Sequence, residues 1–202
     1  LTEDAKPVAS HSPIPVPLHW HKKVKAGLDR DVAIGVLEKV PAGTPTTWCH
    51  KMVCVPKKDG SPRRTVNFVP QNQFSFRQTH HTMSPFHQAS MVPSNTYKTV
   101  LDAWNGYHSV PLREEDRKYF TFILPQGKFR YTVSPMGFVA SGDWFNQITD
   151  NILQEPKIPG VQKEVDDILG EAVDNASLAV TLREVLQRCH DNKITLSKKK
   201  ME

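Results

Sequence analysis

The chain has 202 residues, a formal net charge of +5 and a pI near 9.1, with 38% hydrophobic and 8% aromatic residues. That balance excludes a disordered tail and a disulfide-stapled miniature: one or two compact units can be buried at this length, and only Cys49, Cys54 and Cys189 are present. Three cysteines, odd in number and far from disulfide-scaffold density, point to a reducing intracellular compartment, so an intracellular, cytoplasmic setting is expected. No apolar run approaches the roughly 18 residues of a membrane span, the first residues show no signal-peptide pattern, and no membrane partner is expected.

In chain order, residues 1–17 carry Pro7, Pro13, Pro15 and Pro17 and are expected to form an extended arm. From Leu18, Trp20, Val24, Leu28, Val32 and Val36 recur every four positions, which predicts a helix with one buried stripe, stopped by Pro41 and Gly43. Burial accounts for these residues fully.

Residues 46–70 read as a β-hairpin, with strands at 51–55 and 64–68 and a turn at Asp59-Gly60. Lys51, Lys57, Lys58, Arg63 and Arg64 outweigh Asp59, leaving most of the chain's basic excess on this one hairpin. A solvated edge protected by lysines and a phosphate-gripping finger explain that charge equally well. Residues 71–96 are loop-rich, with a short helix at 84–91. His80, His81 and His87, with Cys49, His50 and Cys54, lack the paired spacing of a structural zinc site, and no metal is assigned to them.

A strand-like run at 97–102 ends in Asp102. Arg113–Asp116 makes a charged turn, and 118–124 with 128–133 form a hairpin around Gln126-Gly127. A helix at 138–154 presents Trp144, Phe145, Ile148, Ile152 and Leu153. The last helix, 175–192, is capped by Asp174 or Asn175 and buries Leu178, Leu182, Val185, Leu186 and Cys189. Residues 194–196 suggest one more strand, and Lys198–Lys200 a basic tail.

Most chemical content lies in residues 161–170, Val-Gln-Lys-Glu-Val-Asp-Asp-Ile-Leu-Gly, read as two short strands with Asp166 and Asp167 at the turn. Adjacent carboxylates repel unless a cation sits between them. Alone, such a pair is a solvated acidic turn. With Asp102 at the end of a second strand, three carboxylates gain the means to hold the divalent ions used in phosphoryl transfer. The order from residue 97 is β, (ββ), α, β-β, α, β. This is an α+β layout with an antiparallel, ferredoxin-like sheet and helices on one face, the outline of a polymerase palm.

Leu101-Asp-Ala-Trp-Asn-Gly-Tyr-His108, Ser134-Pro-Met-Gly-Phe138 and Val165-Asp-Asp-Ile168 stand in the order found in reverse transcriptases of retroviruses and LTR retrotransposons. Lys57-Lys-Asp-Gly-Ser-Pro-Arg-Arg-Thr-Val-Asn-Phe68 matches their fingers hairpin. The chain resembles the gypsy-like (Ty3-type) elements most, over residues 14–200. The resemblance implies an arm at 1–17, fingers with the first palm elements at 18–96, and a palm at 97–202 with a fingers return at about 113–136. The thumb is expected to be absent. It also implies catalytic Asp102, Asp166 and Asp167, and Mg²⁺, with Mn²⁺ as the alternative ion, on Asp102, Asp166 and the carbonyl of Ala103. Lys57, Lys58 and Arg63 would meet the incoming dNTP, Tyr107 would gate its sugar, and Met136 and Gly137 would lie along it. Implied partners are an RNA or DNA template with primer and the other domains of a polyprotein (thumb, RNase H, protease, integrase), with room for a dimer and a virus-like particle.

Glu164 stands where the family usually has an aromatic, and Asn67 where an aspartate is usual. Two functions follow: an RNA-directed DNA polymerase domain, or an inert fragment of that fold that binds nucleic acid or serves a structural role.

Overall fold

A computed structural model describes residues 1–80 and 83–201. His81 of the histidine group lies outside the described residues. The regular elements begin with α1 (His21–Ala33), β1 (Leu37–Lys39), β2 (His50–Pro56), β3 (Pro62–Val66), α2 (Val69–Asn72) and α3 (Pro85–Met91). They continue with β4 (Tyr97–Asp102), β5 (Thr121–Leu124), β6 (Gly127–Tyr131), α4 (Ser141–Gln154), β7 (Val161–Glu164), β8 (Asp167–Ala172) and α5 (Asn175–Asp191). The chain divides into one unit of Leu1–Arg77 with Val110–Ser141 and another of Gln78–Ser109 with Gly142–Glu202.

The first unit is built on a five-stranded sheet in the order β1-β6-β5-β2-β3. Only β2 and β5 run parallel; the other neighbours are antiparallel. Met52, Phe68, Phe122 and Leu124 fill its core. Helix α1 buries Val24 and Leu28, with Trp20 buried in the 3-10 turn just before it, but is shorter than the periodicity predicts. Gly35 adopts φ 75°, and the Gly35 and Val36 N–H groups donate back to the carbonyls of Val32 and Asp31, a glycine-closed helix end. Gly35, not Pro41, is therefore the stop, and β1 occupies the residues expected to be helical. Val32 is partly exposed while Asp31 turns inward, because Arg64 on β3 reaches it as an ion-pair partner. Residues Glu114–Phe120 form a 3-10 helix, which shortens the predicted strand at 118–124. The N-terminal arm lies along the sheet, Ala9 bridging to Cys49.

The second unit carries an antiparallel sheet in the order β4-β8-β7. Alternation assigns its two faces. Thr99, Leu101, Ile168, Val161 and Lys163 are buried on one, where Gly170 would place a Cβ within 4 Å of Leu178 and Leu182 of α5. Asp102, Asp167 and Glu164 point to the other. Helix α4 starts at Ser141, and its inward face is more polar than predicted: Asn146 and Thr149 are buried and Ile148 is exposed. The buried ammonium of Lys163 explains this, since it donates to Asn146 Oδ1 at 3.0 Å. In α5, Asp174 is the N-cap, accepting from the Ser177 N–H at 2.8 Å; Val185 and Cys189 are buried, whereas Leu186 is exposed. Residues 194–196 make a single bridge, Ala103 to Leu196, rather than the expected strand. Among the described residues, no helix is long and apolar enough to cross a membrane.

Candidate active site

Strands β4 and β8 pair in a register that sets Asp102 opposite Asp167, and β7 pairs with β8 so that Glu164 also faces Asp167. Three acids from three neighbouring strands thus form a row across one face of the sheet. The hairpin turn is Val165-Asp166, one residue earlier than the Asp-Asp turn expected; Asp167 already belongs to β8. Val165 adopts φ 51° in this turn. A β-branched residue pays for that conformation with steric strain, of a kind that gathers at functional sites.

Asp166 is anchored through its backbone, its carbonyl accepting from the Ala103 N–H at 2.7 Å. Burial raises the pKa of its carboxyl group, and the charges of Asp102 and Asp167 raise it further, while Lys200 and Lys163 pull the other way. Its Oδ1 is buried with no hydrogen-bond partner among the described residues. At one end of the row, Lys200 Nζ lies 2.6 Å from Asp102 Oδ2. At the other, Gln88 Nε2 donates to Glu164 Oε2 at 2.9 Å. Below the sheet, Lys163 lies 3.4 Å from Asp150, which also pairs with His80 at 2.6 Å. Burial lowers the pKa of Lys163.

Among the described residues, no group of three or more His, Cys, Asp or Glu side chains stands in a metal-holding arrangement. What Asp102, Asp166 and Asp167 share is an electrostatic deficit. Asp102 and Asp167 crowd Asp166 with like charge, the buried Asp166 Oδ1 lacks a partner among the described residues, and an ammonium is already drawn to Asp102, so the cluster carries negative charge that a cation would offset. Ala103, assigned with them, is buried at the end of β4.

Tyr107 belongs to the same unit. Its ring packs edge-on against Phe145, with centroids 5.8 Å apart, and burial followed by the charge of Asp166 raises the pKa of its hydroxyl. Gly106 leaves room for this packing, since a Cβ there would lie 2.5 Å from the Phe145 ring.

The remaining predicted residues lie in the other unit. Lys57, Lys58 and Arg63 are exposed around the β2–β3 turn, where Gly60 takes φ 73°. Arg64 is not available with them: its guanidinium is committed to Asp31. Met136 is exposed, and Gly137 adopts φ 94°. Asn72 holds this loop, donating to the Gly137 carbonyl at 2.9 Å and accepting from the Val139 N–H at 3.0 Å. Asn67 Oδ1 accepts from the Val69 N–H at the start of α2.

Sequence reasoning missed Gln88 and Lys163 and left Lys200 in a solvated tail. The available signal for Lys200 was charge alone, in the three consecutive lysines at 198–200.

Residues 55–202 match the protein-family model described as reverse transcriptase (RNA-dependent DNA polymerase). The Tf2-3 transposon polyprotein of Schizosaccharomyces pombe is 27% identical over 148 residues, covering 73% of this chain and 11% of the polyprotein. The protease-reverse transcriptase of prototype foamy virus superposes with a TM-score of 0.87 at 25% identity, over 98% of this chain and 26% of that one. A foamy viral protease-reverse transcriptase in complex with an RNA/DNA hybrid gives 0.85 at 20% identity, over 98% of this chain and 26% of that one. The chain thus spans about a tenth of the transposon polyprotein and about a quarter of the viral chains.

Proposed function

Because the chain belongs to the reverse transcriptase family, of the LTR-retrotransposon (Ty3/gypsy) kind, we propose that it forms the fingers and palm of an RNA-directed DNA polymerase within a longer polyprotein. The observation that carries this reading is the cross-strand row Asp102–Asp167 with Asp166 at the adjacent turn. The unit of residues 1–77 and 110–141 corresponds to the fingers, and that of 78–109 and 142–202 to the palm.

In this reading Asp102 and Asp166, with the Ala103 carbonyl, hold Mg²⁺, and Asp167 supports them. When bound, the ions would lower the pKa of the primer 3′-hydroxyl and neutralise the leaving pyrophosphate. The chain's own part is positioning and charge. Lys57, Lys58 and Arg63 provide exposed cations for the triphosphate, with Arg63 suited to bidentate contact. Tyr107, held by Phe145, closes the space beneath the sugar and disfavours a 2′-hydroxyl. Met136 and Gly137 line the nucleotide and template. The partners are a template–primer duplex, dNTPs and the other polyprotein domains, in the cytoplasm.

A second reading has a specific observation behind it. The lysine on Asp102 and the additional acid at Glu164 would also suit an inert, nucleic-acid-binding relic.

Primer extension on an RNA template with dNTPs and Mg²⁺ separates the two, run on this chain, on the chain with its downstream polyprotein sequence restored, and on Asp166→Asn in each. Extension that Asp166→Asn abolishes supports the polymerase. No extension in either length supports the relic.

A further inference from the structure

The segment after α5 is zipped to the end of β4. Trp104 N–H donates to the Thr195 carbonyl and Ser197 N–H to the Asp102 carbonyl, both at 2.8 Å. The chain then turns once, Lys200 N–H bonding the Ser197 carbonyl at 3.1 Å. That single turn delivers Lys200, and neither Lys198 nor Lys199, to Asp102.

The contact is asymmetric. The Asp102 side chain is 15% exposed and that of Lys200 is 65% exposed. The carboxylate stays in place with its strand, while the lysine stem stands in water and can swing away without losing packing. An ammonium nitrogen 2.6 Å from Oδ2 fills the space where a divalent ion would coordinate that oxygen, at about 2.0–2.6 Å for Mg²⁺ or Ca²⁺. Both cannot occupy it.

We propose that Lys200 is a built-in counter-ion that competes with divalent cations for Asp102 and so sets the cation concentration at which the site fills. This rests on the assignment of Asp102 as a metal ligand. Before the ion arrives, Lys200 offsets part of the repulsion along the Asp102–Asp167–Glu164 row. On arrival it must leave, so the site loads less tightly than its carboxylates alone would allow.

Binding of Mn²⁺ to the 202-residue chain, read from the loss of the free-ion EPR signal, tests this without any turnover. Lys200→Gln should bind Mn²⁺ about two- to fivefold more tightly than the parent, the scale of one exposed ion pair. Lys199→Gln removes the same charge one residue away from a side chain that makes no ion pair among the described residues, and should leave the affinity within about 1.5-fold. Equal tightening in both variants, or none in Lys200→Gln, overturns the proposal. If the parent binds Mn²⁺ no better than Asp102→Asn, the metal-ligand assignment itself fails, and the competition with it. Far-UV circular dichroism on each variant verifies that the fold is retained.

Discussion

Gln88 on α3 donates to Glu164 on β7 at 2.9 Å, across 76 positions of sequence. This bond holds the carboxylate that departs from the usual aromatic of the family, and Glu164 remains directly across from Asp167. Like charges in that relationship destabilise a sheet. Glu164→Gln keeps a side chain that can bond Gln88 and removes the repulsion. In the absence of divalent cation it should stabilise the protein by about 0.2–1 kcal/mol. A lower melting temperature than the parent would contradict this.

The ion pair between Asp31 and Arg64 fastens α1 to β3, with Arg64 lying against Gly27. Asp31→Ala leaves a mostly buried guanidinium without its carboxylate and should cost about 2 kcal/mol in urea unfolding. Arg63 next door is exposed and has a different task. Arg63→Gln should leave stability unchanged and reduce the slope of log affinity for nucleic acid against log salt by roughly 1. If Arg64→Gln, not Arg63→Gln, changed that slope, the division of labour would be reversed.

Gly106 and Phe145 touch so closely that a methyl group cannot be added without moving the ring. Gly106→Ala should destabilise the protein by about 1–3 kcal/mol and displace Tyr107, which packs on the same ring. In the extension assay the same variant should discriminate less well between dNTPs and rNTPs. Unchanged stability together with unchanged discrimination would dissociate Tyr107 from Phe145.

His50 is buried, with Nε2 3.1 Å from the Tyr119 carbonyl and its ring against Phe68. Burial lowers its pKa below 6.5. The unfolded chain therefore takes up a proton before the folded one does. The contribution is fully present above pH 6.5 and is lost as pH falls from there through the folded value. The unfolding free energy should decline over that window, and His50→Gln should flatten the decline. Parallel pH profiles for parent and variant would refute the assignment.

Local chemistry determined much of this molecule. Asp59-Gly60 specifies the turn of the basic hairpin, because glycine supplies the positive φ that the turn requires. Asp174 caps α5 because its carboxylate meets an unpaired N–H within the first turn. The strand ending at Asp102 and the helix at Pro85–Met91 were legible for the same reason: period and punctuation act over a few residues.

Tertiary structure decided what those signals do not carry. In helix α1, Asp31 rather than Val32 turns inward because Arg64, 33 positions away, supplies the partner that makes a buried carboxylate tolerable. Helix α4 turns Asn146 rather than Ile148 inward because Lys163 rises beneath it. The β5–β6 hairpin joins the five-stranded sheet, not the strand that ends in Asp102. Lys200, 98 positions from Asp102, reaches the carboxylate only because the two backbones are zipped beside β4. Each of these turns on where a distant charge or hydrogen-bonding edge finds its complement, and the free energy of that pairing exists only once the chain has folded.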